Sequence, residues 1–374
     1  MTRIRIAALN VENLFERPKA MSGQMKPSQG NPILDAHARF NMLIQEKTYT
    51  AEAKELMLDH LRTLGLLRTD TAKFAVLRRI RGSFIRRTAN NTEIVAGGRE
   101  DWIGWADLVK ERVDELAMTH TARVITDVGA DIMGVVEAES RIALKHFSDP
   151  GIVTPQGKPV YPHVMVIDGN DDRGIDVGIM TKKAHPLLGI RSHVDDVDST
   201  NRQIFGRDCP EYTVPLGAAE QVTVLVNHFK SKGYGDQDAN DRTRRRQAVR
   251  VAAIYDDLRA RGIDNVVVMG DLNDTPDSTP LRPLLVGTDL RDITEHPAFV
   301  SDGRPGTYAN GTAGQKIDYL LLSPALFSRV TGGAIFRMGV WGGKNGDLFP
   351  HYDTMTSAAH AGSDHAAIWA DLEV

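Results

Sequence analysis

The stretch that decides the fold is Val266-Val267-Val268-Met269-Gly270-Asp271-Leu272-Asn273, in which four apolar residues run directly into a glycine and two polar side chains. A short apolar run bounded by a turn signal is typical of a strand that is buried on both faces. The same order, with the apolar run first and the polar group after it, recurs in Ile4–Asn10, Ile132–Glu137 and Val222–His228. Each of these predicted strands delivers polar side chains at its carboxyl end.

Three other runs show the reverse order, with the polar group before the apolar residues: Asp176–Met180, Asp318–Leu322 and Ser363–Trp369. If the two sets of strands run in opposite directions, all of these polar groups gather at one rim. That arrangement requires mixed sheets with antiparallel neighbours. Because near-continuous apolar runs need cover on both faces, the sequence predicts a layered α/β sandwich with a site at one edge.

The side chains predicted to meet at this rim carry carboxylate, amide and imidazole groups. They are Asn10, Glu137, His228, Asp271, Asn273, Asp318, Asp364 and His365. A cysteine-free set that is rich in oxygen ligands suits Mg²⁺, Mn²⁺ or Ca²⁺ better than zinc. A metal ion together with histidines directed at a phosphate can catalyse in-line transfer of a phosphoryl group to water.

Seven short motifs lie at these strand ends. In chain order they are Asn10-Val-Glu-Asn-Leu-Phe, Val135-Val-Glu-Ala-Glu, Arg173-Gly-Ile-Asp-Val, Asn227-His-Phe-Lys-Ser-Lys, Gly270-Asp-Leu-Asn, Ile317-Asp-Tyr and Ser363-Asp-His. Together they resemble the endonuclease/exonuclease/phosphatase superfamily, which includes DNase I-like nucleases, abasic-site endonucleases, neutral sphingomyelinases and inositol polyphosphate 5-phosphatases. The resemblance covers residues 1–15 and about 101–374. It implies a four-layered α/β sandwich of two mixed, largely antiparallel sheets flanked by helices.

The resemblance also implies roles for the acidic and amide residues. Glu137 is expected to be the principal ligand of a Mg²⁺ or Mn²⁺ ion, with Asn10 and Asp364 close to the ion. Asp271 corresponds to the aspartate that orients or deprotonates the attacking water. Asn273 would hold that water or a phosphate oxygen.

Two histidines complete the implied catalytic set. His228 matches the histidine of the DNase I and sphingomyelinase branches, and it would bind phosphate or protonate the leaving group. His365 would contact the scissile phosphate, while Asp318 would hold it in one tautomer and orientation.

Several nearby residues have two readings. Arg173 and Lys230 are predicted substrate contacts, but Lys230 and Lys232 are equally compatible with plain solvated lysines. Asp176 is either part of the site or a structural hydrogen-bond acceptor. The arginine-rich stretch 242–250 lies at the start of a predicted helix. We interpret it as a solvent-exposed helix face rather than as a nucleic-acid-binding surface.

The chain of 374 residues is expected to form a single domain, 1–374, with an insertion at about 16–100 that separates the first strand from the rest of the resemblance. The insertion is expected to be helical, and a further helix is expected over Asp101–Val128. Segment 68–87 carries seven basic residues against Asp70 alone, a local net charge of +6. Either the insertion forms a cap over the active-site rim that attracts a polyanionic substrate, or its arginines are solvated or paired with acids.

Composition sets further bounds. The net charge is −4, whereas proteins that coat long nucleic acids by charge alone are usually basic, so any nucleic-acid contact must be local. With the single Cys209, no disulfide can form within the chain, and no signal-peptide-like or membrane-spanning apolar run is present. A cytoplasmic location without a membrane span is the default expectation, and no protein partner can be inferred.

The sequence therefore predicts a divalent-metal-dependent phosphodiesterase, in the first place a nuclease that acts on DNA or RNA by in-line attack of water. The alternative is a phosphatase or phospholipase C-like hydrolase of a phosphomonoester, an inositol phosphate or a sphingomyelin-like head group. A catalytically silent scaffold would be expected to lack at least one of Glu137, Asp271, Asn273 or His365, and all four are present.

Overall fold

The computed structural model describes residues 2–14, 27–109, 115–171, 174–217, 220–233 and 236–374. The strands in this part of the chain are β1 (Arg3–Leu14), β2 (Ala75–Gly82), β3 (Ile85–Arg87), β4 (Thr92–Ile94), β5 (Trp102–Leu108), β6 (Ile132–Ala138), β7 (His163–Ile167), β8 (Asp176–Thr181), β9 (Gly189–Arg191), β10 (Glu211–Pro215), β11 (Gln221–His228), β12 (Val266–Asp271), β13 (Arg291–Asp292), β14 (Phe299–Val300), β15 (Asp318–Leu322), β16 (Val330–Phe336) and β17 (Ala367–Glu373). The α-helices are α1 (Pro27–Leu43), α2 (Ala51–Thr63), α3 (Glu115–Val128), α4 (Arg141–Gly151), α5 (Gln237–Ala260), α6 (Arg282–Leu285) and α7 (Pro324–Phe327).

The chain divides into two compact units. The sandwich unit comprises Met1–Phe15 and Asp114–Val374, and the inserted unit comprises Glu16–Val113. The inserted unit interrupts the sandwich unit after its first strand.

The sandwich unit contains two mixed sheets. One has the strand order β14-β16-β17-β1-β6-β8-β7, and the other has the order β13-β15-β12-β11-β10-β9. Most neighbours are antiparallel, and the parallel pairs are β1 with β6, β11 with β12 and β14 with β16. The prediction of two mixed, largely antiparallel sheets is confirmed.

Three apolar clusters define four layers. One cluster, which includes Ile6 and Val224, fills the space between the sheets. A second lies between the outer face of the seven-stranded sheet and helices α3 and α4, with Ile125 and Leu144 fully buried. A third packs α5, through Tyr255, on the outer face of the six-stranded sheet. Burial of one such side chain contributes about 1.5–3 kcal/mol, so these clusters hold the layers together.

The strand directions bring the polar ends to one rim. In the six-stranded sheet, β11 ends at His228 beside the end of β12 at Asp271, and these strands are parallel. Asp318, the first residue of the antiparallel β15, pairs with Asp271. In the other sheet, β1 runs parallel to β6 and antiparallel to β17, which starts just after His365. The up-and-down arrangement predicted from the sequence is therefore correct.

The inserted unit differs from the helical segment predicted for it. It contains α1 and α2, but β2 pairs with β5 and β3 pairs with β4 in two small antiparallel sheets. The expected helix over Asp101–Val128 is wrong in its first part, because 102–108 is strand β5, whereas α3 spans Glu115–Val128. Trp102, Trp105 and Leu108 have helix-like spacing. The burial alternates instead, with Trp102, Gly104 and Ala106 buried, and a period of two is that of a strand.

Candidate active site

The structure brings six of the predicted site residues to one pocket of about 540 Å³ in the sandwich unit. They are Glu137, His228, Asp271, Asn273, Asp364 and His365. They come from the ends of β6, β11 and β12 and from the segments that follow β12 and precede β17. Residues that are far apart in sequence therefore converge because strand ends meet at the rim.

Asn10 lies buried beside this pocket and joins two of its carboxylates. Its amide nitrogen Nδ2 donates to Glu137 Oε1 at 3.2 Å and to Asp271 Oδ2 at 3.4 Å. Its amide oxygen accepts the backbone N–H of Glu12 at 3.0 Å. As placed, Asn10 positions these carboxylates, and the metal-ligand role predicted for it would require its amide group to be turned over.

His365 and Asp318 form a buried imidazole–carboxylate pair. His365 Nδ1 donates to Asp318 Oδ2 at 2.8 Å, which leaves Nε2 facing Asp271 at 3.9 Å and Asp364 at 3.7 Å. Burial by itself lowers the pKa of His365, but the surrounding carboxylates, Asp318 first among them, outweigh it and raise this pKa to about 10. The ring is therefore an imidazolium at neutral pH and presents an Nε2–H donor to the pocket.

Asp271 is held at the base of the pocket by Asn273. The backbone N–H of Asn273 donates to Asp271 Oδ1 at 2.8 Å, and its side chain donates to Oδ2 at 3.1 Å. Burial, together with the negative charge of Asp318, raises the pKa of Asp271 to about 7. A carboxylate with a pKa near neutrality is suited to accept a proton from water.

His228 lies between the same carboxylates. Its Nε2 is 3.7 Å from Glu137 Oε1 and 3.8 Å from Asp271 Oδ2, and the side chain is buried at the end of β11. Both pocket histidines are thus close to acidic side chains, and they approach from different sheets.

The backbone around the pocket is strained at three non-glycine residues. Glu12, Glu137 and Asn273 have φ values of +48°, +68° and +54°. Glu137 also interrupts the pairing of β6 with β8, where the register shifts between Val136 and Ala138. A bulge of this kind turns a side chain out of the strand alternation, and such strain concentrates at functional sites.

Gly270 has a conformational reason to precede Asp271. Its φ is +118°, and a Cβ atom at this position would lie 2.1 Å from the carbonyl oxygen of Asn227. Only glycine fits this close approach of β12 to β11.

The donor set fits a hard divalent cation. Four carboxylates line the pocket, those of Glu12, Glu137, Asp271 and Asp364. Desolvation, with the neighbouring Asp364 charge, raises the pKa of Glu12 to about 7, so negative charge is crowded here. Carboxylate oxygens with few competing cations are the ligands that Mg²⁺ and Mn²⁺ prefer.

Two groups of side chains qualify as ligands. Asp271, Asp318 and His365 have donor atoms within 4.8 Å of one another and could hold a metal ion. Asp318, however, is already engaged by His365, and both aspartates are buried. The carboxylates of Glu137 and Asp364 also line the pocket and are more accessible, at 17% and 40% exposed, so they could contact a hydrated ion.

The two predicted substrate contacts have different outcomes. Arg173 lies outside the described residues. Lys230 does not line the pocket, and its backbone N–H donates to Gln247 Oε1 at 2.9 Å. Lys232 lines the pocket instead, where its ammonium group pairs with Asp274. Strand alternation would place both lysines on one side, so the irregular path of the chain after β11 separates them.

Sequence reasoning missed Arg207, Tyr308 and Gln315, which also line the pocket. The guanidinium group of Arg207 is buried, donates to the carbonyl oxygen of Phe229 at 2.6 Å and pairs with Asp171 at 3.3 Å. No motif marks these residues, because their position depends on loops that fold back to the rim.

Asp176 supports the structural reading. It is buried, accepts the backbone N–H of Gly169 at 2.8 Å and is not among the residues that line the pocket.

A protein-family model for the endonuclease/exonuclease/phosphatase family matches residues 87–331, more than half of the chain. The chain belongs to this family. It is a phosphoric ester hydrolase of the family fold, with a buried cluster of acidic and histidine side chains. Among the described residues, no helix is long and apolar enough to cross a membrane.

Similar solved structures include an endonuclease/exonuclease/phosphatase from Bacteroides vulgatus, at 17% identity, TM-score 0.49, and coverage of 70% of this chain and 91% of that one. A mannosyl-6-phosphatase from Bacteroides thetaiotaomicron has 15% identity, TM-score 0.49, and coverage of 69% and 91%. The human Nocturnin catalytic domain has 13% identity, TM-score 0.49, and coverage of 70% and 87%. A comparison with curated proteins finds no match.

Proposed function

We propose that this protein is a divalent-metal-dependent phosphodiesterase that cleaves nucleic acid by in-line attack of water. The observation that carries the proposal is the pairing of His365 with Asp318 at 2.8 Å, with the free face of the imidazolium directed at the carboxylates of a single pocket. A fixed cationic donor beside a base and a cluster of oxygen ligands is the arrangement that stabilises charge developing on a phosphoryl group.

Each side chain has a defined task in this proposal. Asp271 accepts the proton of the attacking water, and Asn273 keeps its carboxylate in place. His365 Nε2–H donates to a non-bridging phosphate oxygen. His228 delivers a proton to the leaving oxygen.

The metal ion would be held by Glu137 and Asp364, with Asn10 supporting Glu137. When bound, a divalent cation polarises the phosphoryl oxygens and lowers the pKa of bound water.

The charge of the pocket favours a diester over a monoester. Arg207 and Lys232 are the Arg and Lys side chains among the described residues that line the pocket, and both already pair with aspartates. A phosphomonoester carries up to two negative charges at neutral pH, whereas a diester carries one. A site crowded with carboxylates accommodates the less charged group more easily.

A substrate panel tests the proposal. Supercoiled plasmid, single-stranded DNA, RNA, bis-p-nitrophenyl phosphate and p-nitrophenyl phosphate are each incubated with Mg²⁺, Mn²⁺ or a chelator. We expect metal-dependent cleavage of nucleic acid and of the diester. His365→Ala and Asp271→Asn should each lose at least about 100-fold in kcat, as general acid–base groups do.

His360→Ala is the matched control, because His360 is a second histidine near the same strand but does not line the pocket. Its rates should stay within about twofold of the wild type. Hydrolysis of p-nitrophenyl phosphate alone would favour the phosphatase alternative and reject the nuclease. A panel in which nothing is cleaved under any metal condition would reject the proposed function altogether.

A further inference from the structure

The small sheet of the inserted unit has one face that carries arginine and tryptophan side chains outward. Strand β2 pairs with β5 so that Arg78 lies opposite Trp105 and Arg81 lies opposite Ile103. On β5, the buried residues Trp102, Gly104 and Ala106 alternate with these outward positions. We call the outward set Arg78, Arg81, Ile103 and Trp105 the Arg–Trp face.

A β-bulge creates this face. Arg78 and Arg81 are three residues apart, so in a regular strand their side chains would point to opposite sides. The register of β2 shifts between Arg79 and Arg81, which makes Ile80 an extra residue and returns Arg81 to the side of Arg78. Ile80 itself is 69% exposed.

The six arginines of segment 68–87 separate into two groups. Arg68 and Arg87 donate to backbone carbonyls, and Arg87 also pairs with Asp70. Arg86 pairs with Glu93 across the β3–β4 sheet. These three arginines hold the inserted unit together rather than forming a free cationic surface.

The arginines of β2 are available to a ligand. Within the part of the chain that the structure describes, no hydrogen bond or ion pair engages the side chain of Arg79 or Arg81. Arg78 has only a solvent-exposed pair with Asp107 at 3.4 Å, and such pairs contribute little. Trp105 is 40% exposed, and no ring or cation contact of the described residues involves it.

The opposite face of this sheet is already covered. Helix α1 packs there, and Asn41 exchanges hydrogen bonds of 2.9 Å with both the N–H and the carbonyl of Ala106. Phe40 and Met57 belong to the same buried cluster as Trp102. A ligand can therefore approach the Arg–Trp face but not the helix side.

We propose that the Arg–Trp face binds a single-stranded segment of nucleic acid. Guanidinium groups complement backbone phosphates, and the exposed indole ring opposite Arg78 stacks on an unpaired base. A duplex keeps its bases stacked on one another and offers no such partner for the indole. The inference rests on the proposed nuclease function for its meaning, since it assigns the substrate class of that same enzyme.

The test uses the full chain with the His365→Ala substitution, which separates binding from cleavage. Fluorescence anisotropy measures its affinity for a labelled dT oligonucleotide of about 12 nucleotides and for the matching U oligonucleotide. Trp105→Ala should weaken binding about tenfold, because stacking on an aromatic side chain supplies much of such affinity. Arg78→Ala with Arg81→Ala should weaken binding and reduce the salt slope by about 1.4, at about 0.7 for each phosphate contact.

The matched control removes the same charge from the covered side. Arg39 and Arg62 are exposed on α1 and α2, where each pairs with an aspartate of its own helix. Arg39→Ala with Arg62→Ala should leave affinity within about twofold and the salt slope unchanged. Trp105→Phe keeps an aromatic ring, so it should retain most of the affinity that Trp105→Ala loses, and this comparison separates stacking from misfolding.

Binding of unlabelled dT oligonucleotide should quench the tryptophan emission of the His365→Ala protein that retains Trp105. The same oligonucleotide should quench the emission of the Trp105→Phe variant much less. Equal loss of affinity in the Arg39/Arg62 control would overturn the proposal. So would tighter binding of duplex DNA, or of anionic phosphatidylserine vesicles, through the same residues. If the wild type cleaves plasmid or diester but the Trp105 and Arg78/Arg81 variants bind the oligonucleotide as tightly as their parent protein, only this inference fails. If these variants lose affinity as expected and the wild type cleaves no substrate, only the proposed function fails.

Discussion

Replacing Asp176 with asparagine should stabilise the protein in a pH-dependent way. Asp176 is the first residue of β8, is buried, and accepts the backbone N–H of Gly169 at 2.8 Å. Burial, together with the charges of Asp168 and Asp171, raises its pKa from the ordinary 3.8 to about 6. The folded protein therefore resists ionising this carboxyl group.

The sign follows from linkage between proton binding and folding. Well below pH 3.8 the carboxyl group is protonated in both the folded and unfolded states, so it contributes no difference. Between pH 3.8 and about 6 the unfolded chain ionises this group while the folded protein keeps it protonated, so stability falls across this range. Above pH 6 the folded state carries the buried charge and the cost stays constant. Asp176 therefore costs stability above pH 6, and asparagine removes that cost while keeping the oxygen that accepts the Gly169 N–H.

The shift from 3.8 to about 6 corresponds to a ceiling of about 3 kcal/mol, at about 1.4 kcal/mol per pKa unit. Solvent screening of a partly hydrated carboxyl group reduces this to about 1–2 kcal/mol. In a unit of this size, that gain raises the Tm by roughly 2–5 °C.

Thermal unfolding followed by circular dichroism at pH 4, 6 and 8 measures the effect. The Tm difference between Asp176→Asn and the wild type should be smallest at pH 4, mostly developed at pH 6 and largest at pH 8. Asp168→Asn makes the same charge change at an exposed neighbour and should give a much smaller shift. A lower Tm for Asp176→Asn at pH 8, or an equal gain at pH 4 and pH 8, would refute the reasoning.

Three further predictions concern the site and the surface. Asp318→Asn removes the strongest charge attraction on His365 and so lowers the pKa of His365 from about 10. We expect kcat to fall about 100-fold at pH 8 and the alkaline limb of the pH–rate profile to move to lower pH. An unmoved limb would argue against the His365–Asp318 pair. Asp198→Asn should lower the Tm at pH 7, because hydrogen bonds from Thr200 lower the pKa of Asp198 to about 2. The Tm difference should disappear as the pH falls from 4 to 2. A Tm difference that persists at pH 2 would show that these hydrogen bonds to the ionised carboxylate are not its cause. Saturating Mn²⁺ or Mg²⁺ should raise the Tm of the wild type by several degrees, and Glu137→Gln should abolish the shift; an undiminished shift would place the ion elsewhere.

The sequence by itself determined where the strands end and which polar groups follow them. The order of apolar run and polar group is a local property, and strand ends of alternating direction can meet only at a common rim. For that reason the convergence of Glu137, His228, Asp271 and His365 on one pocket, and the mixed sheets that produce it, could be read from the chain.

Only the tertiary structure decided what the long basic side chains do. Arg87 is neutralised by Asp70, seventeen positions earlier, and Arg207 reaches the carbonyl of Phe229, so neither partner is apparent from local sequence. The β-bulge at Ile80 likewise moves Arg81 to the side of Arg78, although strand alternation predicts the opposite side. Flexible cationic side chains take whichever acids and carbonyls the packing brings within reach, and packing is a property of the whole fold.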